Sequence, residues 1–395
     1  MPLVRTIAAA LAICAVLACT KASRAVGLDK PPFRIVHRGA ITLPQNVLDR
    51  QGNEVEITGL SGVTWLGHDR YAAIMDNSDK LILFSLAIDR YGVPQEATDI
   101  EVVTLSEQHD YEDIAVCPEP LQQWIAFRRT KQGFEDPGRC LLVCEEDTPA
   151  IRAVSLSDGS LLGVIPIPAV FTARVPQRGL ESLDIDADGR HIWTANEEAL
   201  VSDGPAPTAD RGTTVRLARI AIPKPGQEKL EEPIQLAYDV DPPHPFVRVF
   251  AGKALSGVTA ITGLGSGRLL VLERAGCPGL PPFENRIYLI DARDAADVTG
   301  IDRDLTSQTE MHVPKLLLWK DQLGCNIEGL CLGPKLRRTV HALIAVTDNG
   351  AVGTPNQLIA FTLEASDSSA QLPIVVGGAA IVAVALGLVI YRLSR

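Results

Sequence analysis

The sequence predicts an all-β protein that folds as a β-propeller of five to seven blades, of which five can be counted. Three observations lead to this fold. Five segments share one layout, their short apolar runs are separated by turn residues, and a spare strand near the N-terminus matches a gap in the last segment. The 32 Gly and 27 Pro are typical of a turn-rich protein of this kind.

The N-terminal residues predict an export signal. Arg5 supplies positive charge ahead of an uncharged, mostly apolar run at residues 6–18, which is too short to cross a bilayer and suits a signal peptide. Ala18 before Cys19 fits ordinary signal-peptidase cleavage. The same stretch also resembles a bacterial lipobox in which Cys19 is lipidated, and both alternatives stay open.

The five repeated segments each open with a short motif. These motifs are Ser61-Gly62-Val63, Glu112-Asp113-Ile114, Glu181-Ser182-Leu183, Ser256-Gly257-Val258 and Glu328-Gly329-Leu330. An apolar strand ending in charge comes next in each segment, at residues 71–77, 124–129, 192–198, 269–274 and 343–349. A third apolar run follows in every segment and a fourth in the first four. A repeated four-stranded unit predicts propeller blades.

The spare strand at residues 34–43 is predicted to complete the last blade, which lacks a fourth run, and so to close the ring. Closure of this kind leaves no long unpaired strand edge. Two glycine-containing stretches are predicted as turns, a hairpin at residues 263–267 and a β-turn at residues 186–189.

The C-terminal region predicts a membrane anchor. Residues 372–391 carry no charge and as a helix would cover ~30 Å, the thickness of the hydrocarbon layer. Arg392 and Arg395 follow the run, so the tail is expected in the cytoplasm and the body outside it, in the periplasm or at the cell surface. The predicted order is signal peptide 1–18, linker 19–32, propeller 33–364, linker 365–371, transmembrane helix 372–391 and cytoplasmic tail 392–395.

Outside the signal region six cysteines remain, an even number that suits an oxidising compartment. They are Cys117, Cys140, Cys144, Cys277, Cys325 and Cys331. We expect disulfides rather than a zinc site, with Cys117 joined to Cys140 or Cys144 and Cys325 joined to Cys331. The connectivity among these alternatives is left open by the sequence.

Composition limits the classes of partner. Against 48 Asp and Glu there are 37 Lys and Arg, a formal charge of −11, which makes nucleic acid an unsuitable ligand because phosphate backbones require clustered cations. A hydrophobic fraction of 46% argues for a packed core rather than disorder. No Gly-x-Ser-x-Gly elbow and no His-Glu-x-x-His motif is present, which argues against a serine esterase and a catalytic zinc site.

Acidic residues recur at equivalent places in the repeats. The first two strands of a blade are antiparallel, so the start of one and the end of the next share a face of the propeller. On this basis one channel mouth is predicted to carry Glu112, Glu181, Glu328, Asp76, Glu197, Glu273 and Asp348, with Arg128, Arg129 and Arg274 among them.

Carboxylates that converge at low dielectric repel one another unless a cation is bound. We therefore predict a divalent cation, calcium in the first place, and six ligands for it. These ligands are Glu112, Glu181, Glu197, Glu273, Glu328 and Asp348. The alternative is that the acids cap strand ends or bond neighbouring blades.

Several ordered motifs resemble those of one known family. They are Arg178-Gly179-Leu180-Glu181-Ser182-Leu183, Leu269-Leu270-Val271-Leu272-Glu273-Arg274, Asn326-Ile327-Glu328-Gly329-Leu330 and Thr347-Asp348-Asn349. Over residues 55–364 the chain resembles the phytase-like family labelled "esterase-like activity of phytase", although Asp113 stands where the family's acidic opening motif usually has Gly. The resemblance implies a propeller related to calcium-dependent phytases, in which metal ions bind substrate phosphates and activate water.

Two functions follow as hypotheses. The first is a metal-dependent hydrolase of small phosphorylated or ester substrates, in which Glu181 or Glu197 orients water, Arg274 and Arg178 hold phosphate oxygens, and Arg128 binds substrate. The second is a non-catalytic binding or adhesion propeller at the cell surface, in which the metal is structural.

Overall fold

The computed structural model describes residues 31–131, 138–173, 178–224, 226–243, 255–277, 282–321, 324–350 and 355–366. The predicted signal peptide, transmembrane helix and cytoplasmic tail lie outside these residues. Within them, no helix is both long enough and apolar enough to cross a membrane.

Five four-stranded antiparallel sheets form the blades of the propeller. Blade 1 consists of β4 (Leu60–Gly67), β5 (Arg70–Met75), β6 (Lys80–Ile88) and β7 (Pro94–Thr104). Blade 2 consists of β8 (Tyr111–Val116), β9 (Cys140–Glu145), β10 (Ala150–Ser155) and β11 (Leu161–Ile165). Blade 3 consists of β12 (Leu180–Ile185), β13 (His191–Asn196), β14 (Thr214–Ala221) and β15 (Ile234–Asp239).

Blade 4 consists of β16 (Leu255–Gly265), β17 (Arg268–Gly276), β18 (Phe283–Asp291) and β19 (Lys315–Asp321). Blade 5 consists of β20 (Asn326–Arg337), β21 (Val340–Asp348), β22 (Gln357–Ala365) and, as its outermost strand, β1 (Phe33–Thr42). The short strands β2 (Asn46–Leu48) and β3 (Glu54–Glu56) form a hairpin between β1 and blade 1. The described part of the chain thus has five blades, the number counted in the sequence.

The predicted closing strand is confirmed. β1 pairs antiparallel with β22, from Phe33 opposite Ala365 to Thr42 opposite Gln357. Phe33 is buried in the layer between blades 4 and 5, and Arg34 bonds Glu364 at 2.6 Å on the exposed side. The N-terminal strand therefore joins the last blade, as the missing fourth run required.

The innermost strands β4, β8, β12, β16 and β20 contact one another in a closed ring. Polar side chains tie neighbouring members of this ring together. Asp113 of β8 accepts the N–H of Leu183 at 2.8 Å, and Asp184 of β12 accepts the N–H of Gly263 at 2.8 Å. These bonds hold adjacent blades in register along the axis.

The hydrophobic core lies in layers between adjacent blades. Between blades 3 and 4, for example, Trp193, Tyr238 and Val271 are buried side by side. Successive side chains of a strand point into the two layers on either side of its blade, so both faces of the strand are apolar. This is why such strands appear in the sequence as continuous apolar runs. The predicted hairpin between β16 and β17 turns at Ser266 and Gly267, both with positive φ, as a two-residue turn requires.

One predicted strand is wrong. Residues 124–129 lie in helix α1 (Glu119–Lys131), which is inserted between the first and second strands of blade 2. The second strand is instead β9. The helix begins after Pro118, whose carbonyl accepts the N–H groups of Leu121 and Gln122, and its residues are mostly good helix formers.

The cysteines also depart from one expectation. Cys117, Cys140, Cys144, Cys277 and Cys331 are free thiols in this structure. Cys325 immediately precedes β20 and Cys331 lies well inside that extended strand, six positions away. At about 3.3 Å per residue their Cα atoms are roughly 20 Å apart, so the predicted Cys325–Cys331 disulfide is wrong.

Candidate metal centre at the channel mouth

A β-bulge delivers the glutamates of the opening motifs. In all five innermost strands the register with the second strand shifts in the first half of the strand, so that one residue has no opposite partner. The skipped residues are Ser61, Glu112, Glu181, Thr259 and Glu328. Because a bulge turns a side chain out of the regular alternation, three of the blades direct a glutamate towards the same end of the axis.

We call this end of the axis the channel mouth. It is formed by Asp76, Asp110, Glu112, Glu146, Glu181, Glu197, Glu198, Glu328 and Asp348, together with Arg178 and Arg274. Two groups of three carboxylates stand out within it, Asp76 with Asp110 and Glu112, and Glu112 with Glu146 and Glu181. In each group the carboxylate oxygens lie within 4.8 Å of one another, and Glu112 belongs to both groups. Each group could hold a metal ion.

Burial raises the pKa of several of these carboxyl groups. The pKa values of Glu112 and Glu181 lie well above their usual range, first because the groups are buried and then because other carboxylates surround them. Burial and the Asp110 carboxyl raise the pKa of Asp76 to about 8, and burial raises the pKa of Glu146 to about 7. Without a cation, Asp76, Glu112 and Glu181 favour the protonated form at neutral pH.

Glu112 and Glu181 also lack hydrogen-bond donors. Among the described residues, no N–H or O–H group donates to either side chain, and both are about nine-tenths buried. A buried carboxylate usually accepts several such bonds. Glu146 differs, because its Oε1 accepts the N–H of Gly179 at 2.8 Å.

The other side of the channel mouth is organised by Arg274. Its side chain is 12% exposed, and Nη1 and Nη2 bond Glu328 and Glu197 respectively. Burial opposes its charged form, but the carboxylates of Glu328 and Glu197 raise its pKa above the usual value. Burial raises the pKa of Glu328 to about 7 even so. Arg274 thus keeps two neighbouring glutamates from repelling each other.

Further hydrogen bonds extend this side. Nδ2 of Asn326 donates to Glu328 at 2.6 Å and to Asp348 at 3.2 Å. Arg178 bonds Glu197 at 2.7 Å and lies 3.6 Å from Glu198. Glu197 is therefore held between two guanidinium groups, in contrast to Glu112 and Glu181.

The family model of phytase-like proteins, described as "Esterase-like activity of phytase", matches residues 55–351. The chain belongs to this phytase-like family. No curated protein matches the chain.

Solved structures share low identity with this phytase-like chain. The allergen Mala s 1 of Malassezia sympodialis is 13% identical, with 80% of this chain and 84% of that chain covered and a TM-score of 0.36. A protein of unknown function from Dyadobacter fermentans is 10% identical, with coverage of 85% and 100% and a TM-score of 0.34. The β-propeller domain of Cps50 (Swd1) from Myceliophteria thermophila is 11% identical, with coverage of 78% and 71% and a TM-score of 0.32.

Most of the residues predicted from the sequence of this phytase-like protein do meet at the channel mouth. They are Glu112, Glu181, Glu197, Glu328, Asp348, Arg178 and Arg274. The two arginines are bound to the carboxylates of the mouth itself.

Glu273 lies elsewhere. Its carboxylate accepts hydrogen bonds from Tyr238 at 2.7 Å, from the N–H of Asp241 at 3.0 Å and from Lys315 at 2.6 Å, all near the outermost strands of blades 3 and 4. Successive residues of a strand face opposite sides, so Arg274 faces the channel mouth and Glu273 faces the layer between the blades.

Arg128 is also away from the channel mouth. It lies on α1, where its guanidinium stacks over the ring of Trp124 at 4.7 Å, and α1 packs against β11, the outermost strand of blade 2. The prediction that Arg128 stands among the channel carboxylates is wrong, because it depended on a strand at residues 124–129.

Three carboxylates of the two groups were not among the predicted ligands. Asp76 was expected on this face but not as a ligand, and Asp110 immediately precedes β8, beside the Glu112 motif. Glu146 immediately follows β9, at the end of a second strand, where Asp76 and Glu197 also lie. A correct assignment of β9 would have pointed to Glu146.

Proposed function

We propose that this protein is an exported, membrane-anchored, metal-dependent hydrolase of phosphoesters, whose channel mouth binds divalent cations, most suitably calcium. The observation that carries the proposal is the position of Glu112, which is shared by two groups of three buried carboxylates. Membership in the phytase-like family supports the class of reaction.

The residues of the channel mouth fit a hard cation. Calcium prefers carboxylate and carbonyl oxygens, and these groups offer oxygen ligands only. Glu112 and Glu181 lack described donors, and Oε2 of the buried Glu328 has no hydrogen-bond partner. A cation would supply the missing partner and lower the electrostatic cost of ionising several carboxyl groups together.

In this proposal Asp76, Asp110 and Glu112 would hold a cation in one group, and Glu112, Glu146 and Glu181 would hold a cation in the other. Divalent cations bound there would neutralise a substrate phosphate and lower the pKa of a bound water. Glu181 is suited to orient the water, because no arginine holds its carboxylate. Glu197 has a structural role instead, because its carboxylate is ion-paired with Arg178 and Arg274.

A non-catalytic binding propeller with a structural metal is the second candidate. One observation favours it: both guanidinium groups of the channel mouth are already bound to carboxylates. Neither arginine offers the unoccupied double N–H face that phosphate recognition generally uses. Hydrolysis would then depend on the cations for all binding of phosphate.

The two candidates are separated by measuring metal content and activity on one preparation. We expect purified protein to retain calcium, to hydrolyse an aryl phosphate with calcium, and to lose that activity with a chelator. Glu112→Gln should remove both metal and activity, whereas Glu96→Gln, a change at an exposed site on β7, should alter neither. Bound calcium without hydrolysis would favour the binding propeller, and absence of any bound divalent cation would refute both forms of the proposal.

A further inference from the structure

We propose that Cys117 and Cys140 are joined by a disulfide when the protein folds under oxidising conditions, and that this bond closes the base of the helical insertion in blade 2. Cys117 immediately follows β8 and Cys140 begins β9, so segment 118–139, which contains α1, lies between them. This inference is independent of the proposed activity.

The register of blade 2 places the two cysteines opposite each other. Val116 pairs with Leu141, and one step further the N–H of Cys117 donates to the carbonyl of Cys140 at 3.2 Å. Residues directly opposite in antiparallel strands have Cα atoms about 4.5–5.5 Å apart, within the range that a disulfide spans. Side chains of directly opposite residues lie on the same face of the sheet, so the two thiols are neighbours in the same apolar layer.

Cys144 is excluded as the partner by the same register. It lies four residues further along β9, opposite Asp113, and its Sγ approaches the carbonyl of Leu180 in blade 3 at 3.8 Å. Four residues of a strand cover about 13 Å, which is beyond the reach of a disulfide. The sequence left Cys140 and Cys144 as alternatives, and the backbone geometry distinguishes them.

The burial of the pair indicates when the bond would form. Both thiols are buried in the layer between blades 2 and 3, and burial raises the pKa of Cys117, which disfavours the reactive thiolate. We therefore assign the bond to folding rather than to a reversible switch of the folded protein. Oxidised glutathione can serve as the oxidant: the two thiols lose two protons and two electrons, and one glutathione disulfide becomes two glutathione thiols.

The test is to refold the full chain in a glutathione redox buffer and, in parallel, with a reductant. Free thiols are then alkylated under denaturing conditions, and the peptides are mapped by mass spectrometry. We expect a Cys117–Cys140 linked peptide only after oxidative refolding, and the same linked peptide in Cys144→Ala. The oxidised protein should also have a Tm at least about 5 °C higher than the reduced one, since closing a loop of this length stabilises by constraining the unfolded chain.

Variants at the pair provide the control. Cys117→Ala and Cys140→Ala should each lose the linked peptide, and the remaining cysteine of the pair should become alkylated. A linked peptide between Cys117 and Cys144 in the wild type would overturn the assignment. So would full alkylation of both Cys117 and Cys140 after oxidative refolding, and neither result requires that a variant folds.

Discussion

Replacing Glu146 by Gln tests the charge balance of the channel mouth, because the change should stabilise the metal-free fold and weaken the stabilisation by metal. The change removes one carboxylate of the group formed with Glu112 and Glu181. The amide oxygen of Gln can still accept the N–H of Gly179, which Glu146 accepts at 2.8 Å. The variant thus changes charge with little change in shape.

The expected difference in the free energy of unfolding follows from the pKa of Glu146, which burial raises from the ordinary 4.5 to about 7. A group whose pKa is raised in the folded state stabilises it fully below pH 4.5, and that contribution is lost as the pH rises through about 7. At about 1.4 kcal/mol per pKa unit, complete ionisation costs the metal-free fold about 3 kcal/mol, or about 1–3 kcal/mol after solvent screening is allowed for.

In a chelator we therefore expect wild type and Glu146→Gln to be equally stable at pH 4.5, and the variant to be more stable by about 1–3 kcal/mol at pH 8. With calcium at a hundredfold excess over its Kd the stability difference should move in favour of wild type by up to about 2.7 kcal/mol, because wild type gains about that amount and the variant gains less. Denaturant unfolding between pH 4.5 and 8, with and without calcium, measures both differences.

The exposed Glu96→Gln variant is the matched control and should follow the wild type at every pH and calcium concentration. If Glu146→Gln were less stable than wild type in chelator at pH 8, the carboxylate would have a structural role of its own. An equal calcium response in both proteins would show that Glu146 is not a ligand.

Three further predictions concern closure, charge and topology. Phe33→Ala should destabilise the propeller by about 3–5 kcal/mol in denaturant unfolding because it empties a buried position of the closing strand, whereas Arg34→Ala should cost less than about 1 kcal/mol; equal effects would contradict the closure argument. Arg274→Met should destabilise by about 3–5 kcal/mol at pH 8 and by less at pH 5, where Glu328 regains its proton; a pH-independent loss would point to packing alone. Protease treatment of intact cells should digest the body, and deletion of residues 372–395 should release it in soluble form; full protection would contradict the predicted topology.

The sequence was sufficient for the architecture because propeller blades are local in sequence. Four of the five blades are built from four consecutive strands, so the recurrence of apolar runs and turns reveals the repeat directly. The pairing of β1 with β22 joins opposite ends of the described chain, and it was predictable because the last repeat lacked a strand and the N-terminus had one to spare. The number of strands in each repeat therefore predicted the closure of the ring, which the periodicity alone did not.

Helix α1 shows where the apolar pattern alone fails. Trp124, Ile125 and Phe127 form a short apolar run that suits either a strand or one face of a helix. Pro118 followed by Glu119 was the available signal for a helix start. The error had two consequences for the site, because it placed Arg128 at the channel mouth and left Glu146 out.

The prediction that Glu273 lies at the channel mouth is wrong for a different reason, which is the alternation of side chains along a strand. A shift of one residue moves a side chain from one face of a sheet to the other. In β17 it is Arg274 that faces the channel mouth, and no bulge interrupts the pairing of β17 with β18 there. At Glu112, Glu181 and Glu328, by contrast, a bulge interrupts the pairing and turns the side chain towards the channel mouth. The sequence contains no clear signal for these bulges.

The division of charge around the channel mouth limits where a cation can bind. Between blades 3 and 5, Arg274 of blade 4 already neutralises Glu197 and Glu328, so a further cation there would face a nearly balanced site. Across blades 1 to 3 the strongest influences on the pKa of Glu112 are burial and other carboxylates, none of them a cation of the protein. An external cation therefore lowers the free energy most on the side of Glu112. Its ligands should come from the two groups that share this residue rather than from an even ring of five blades.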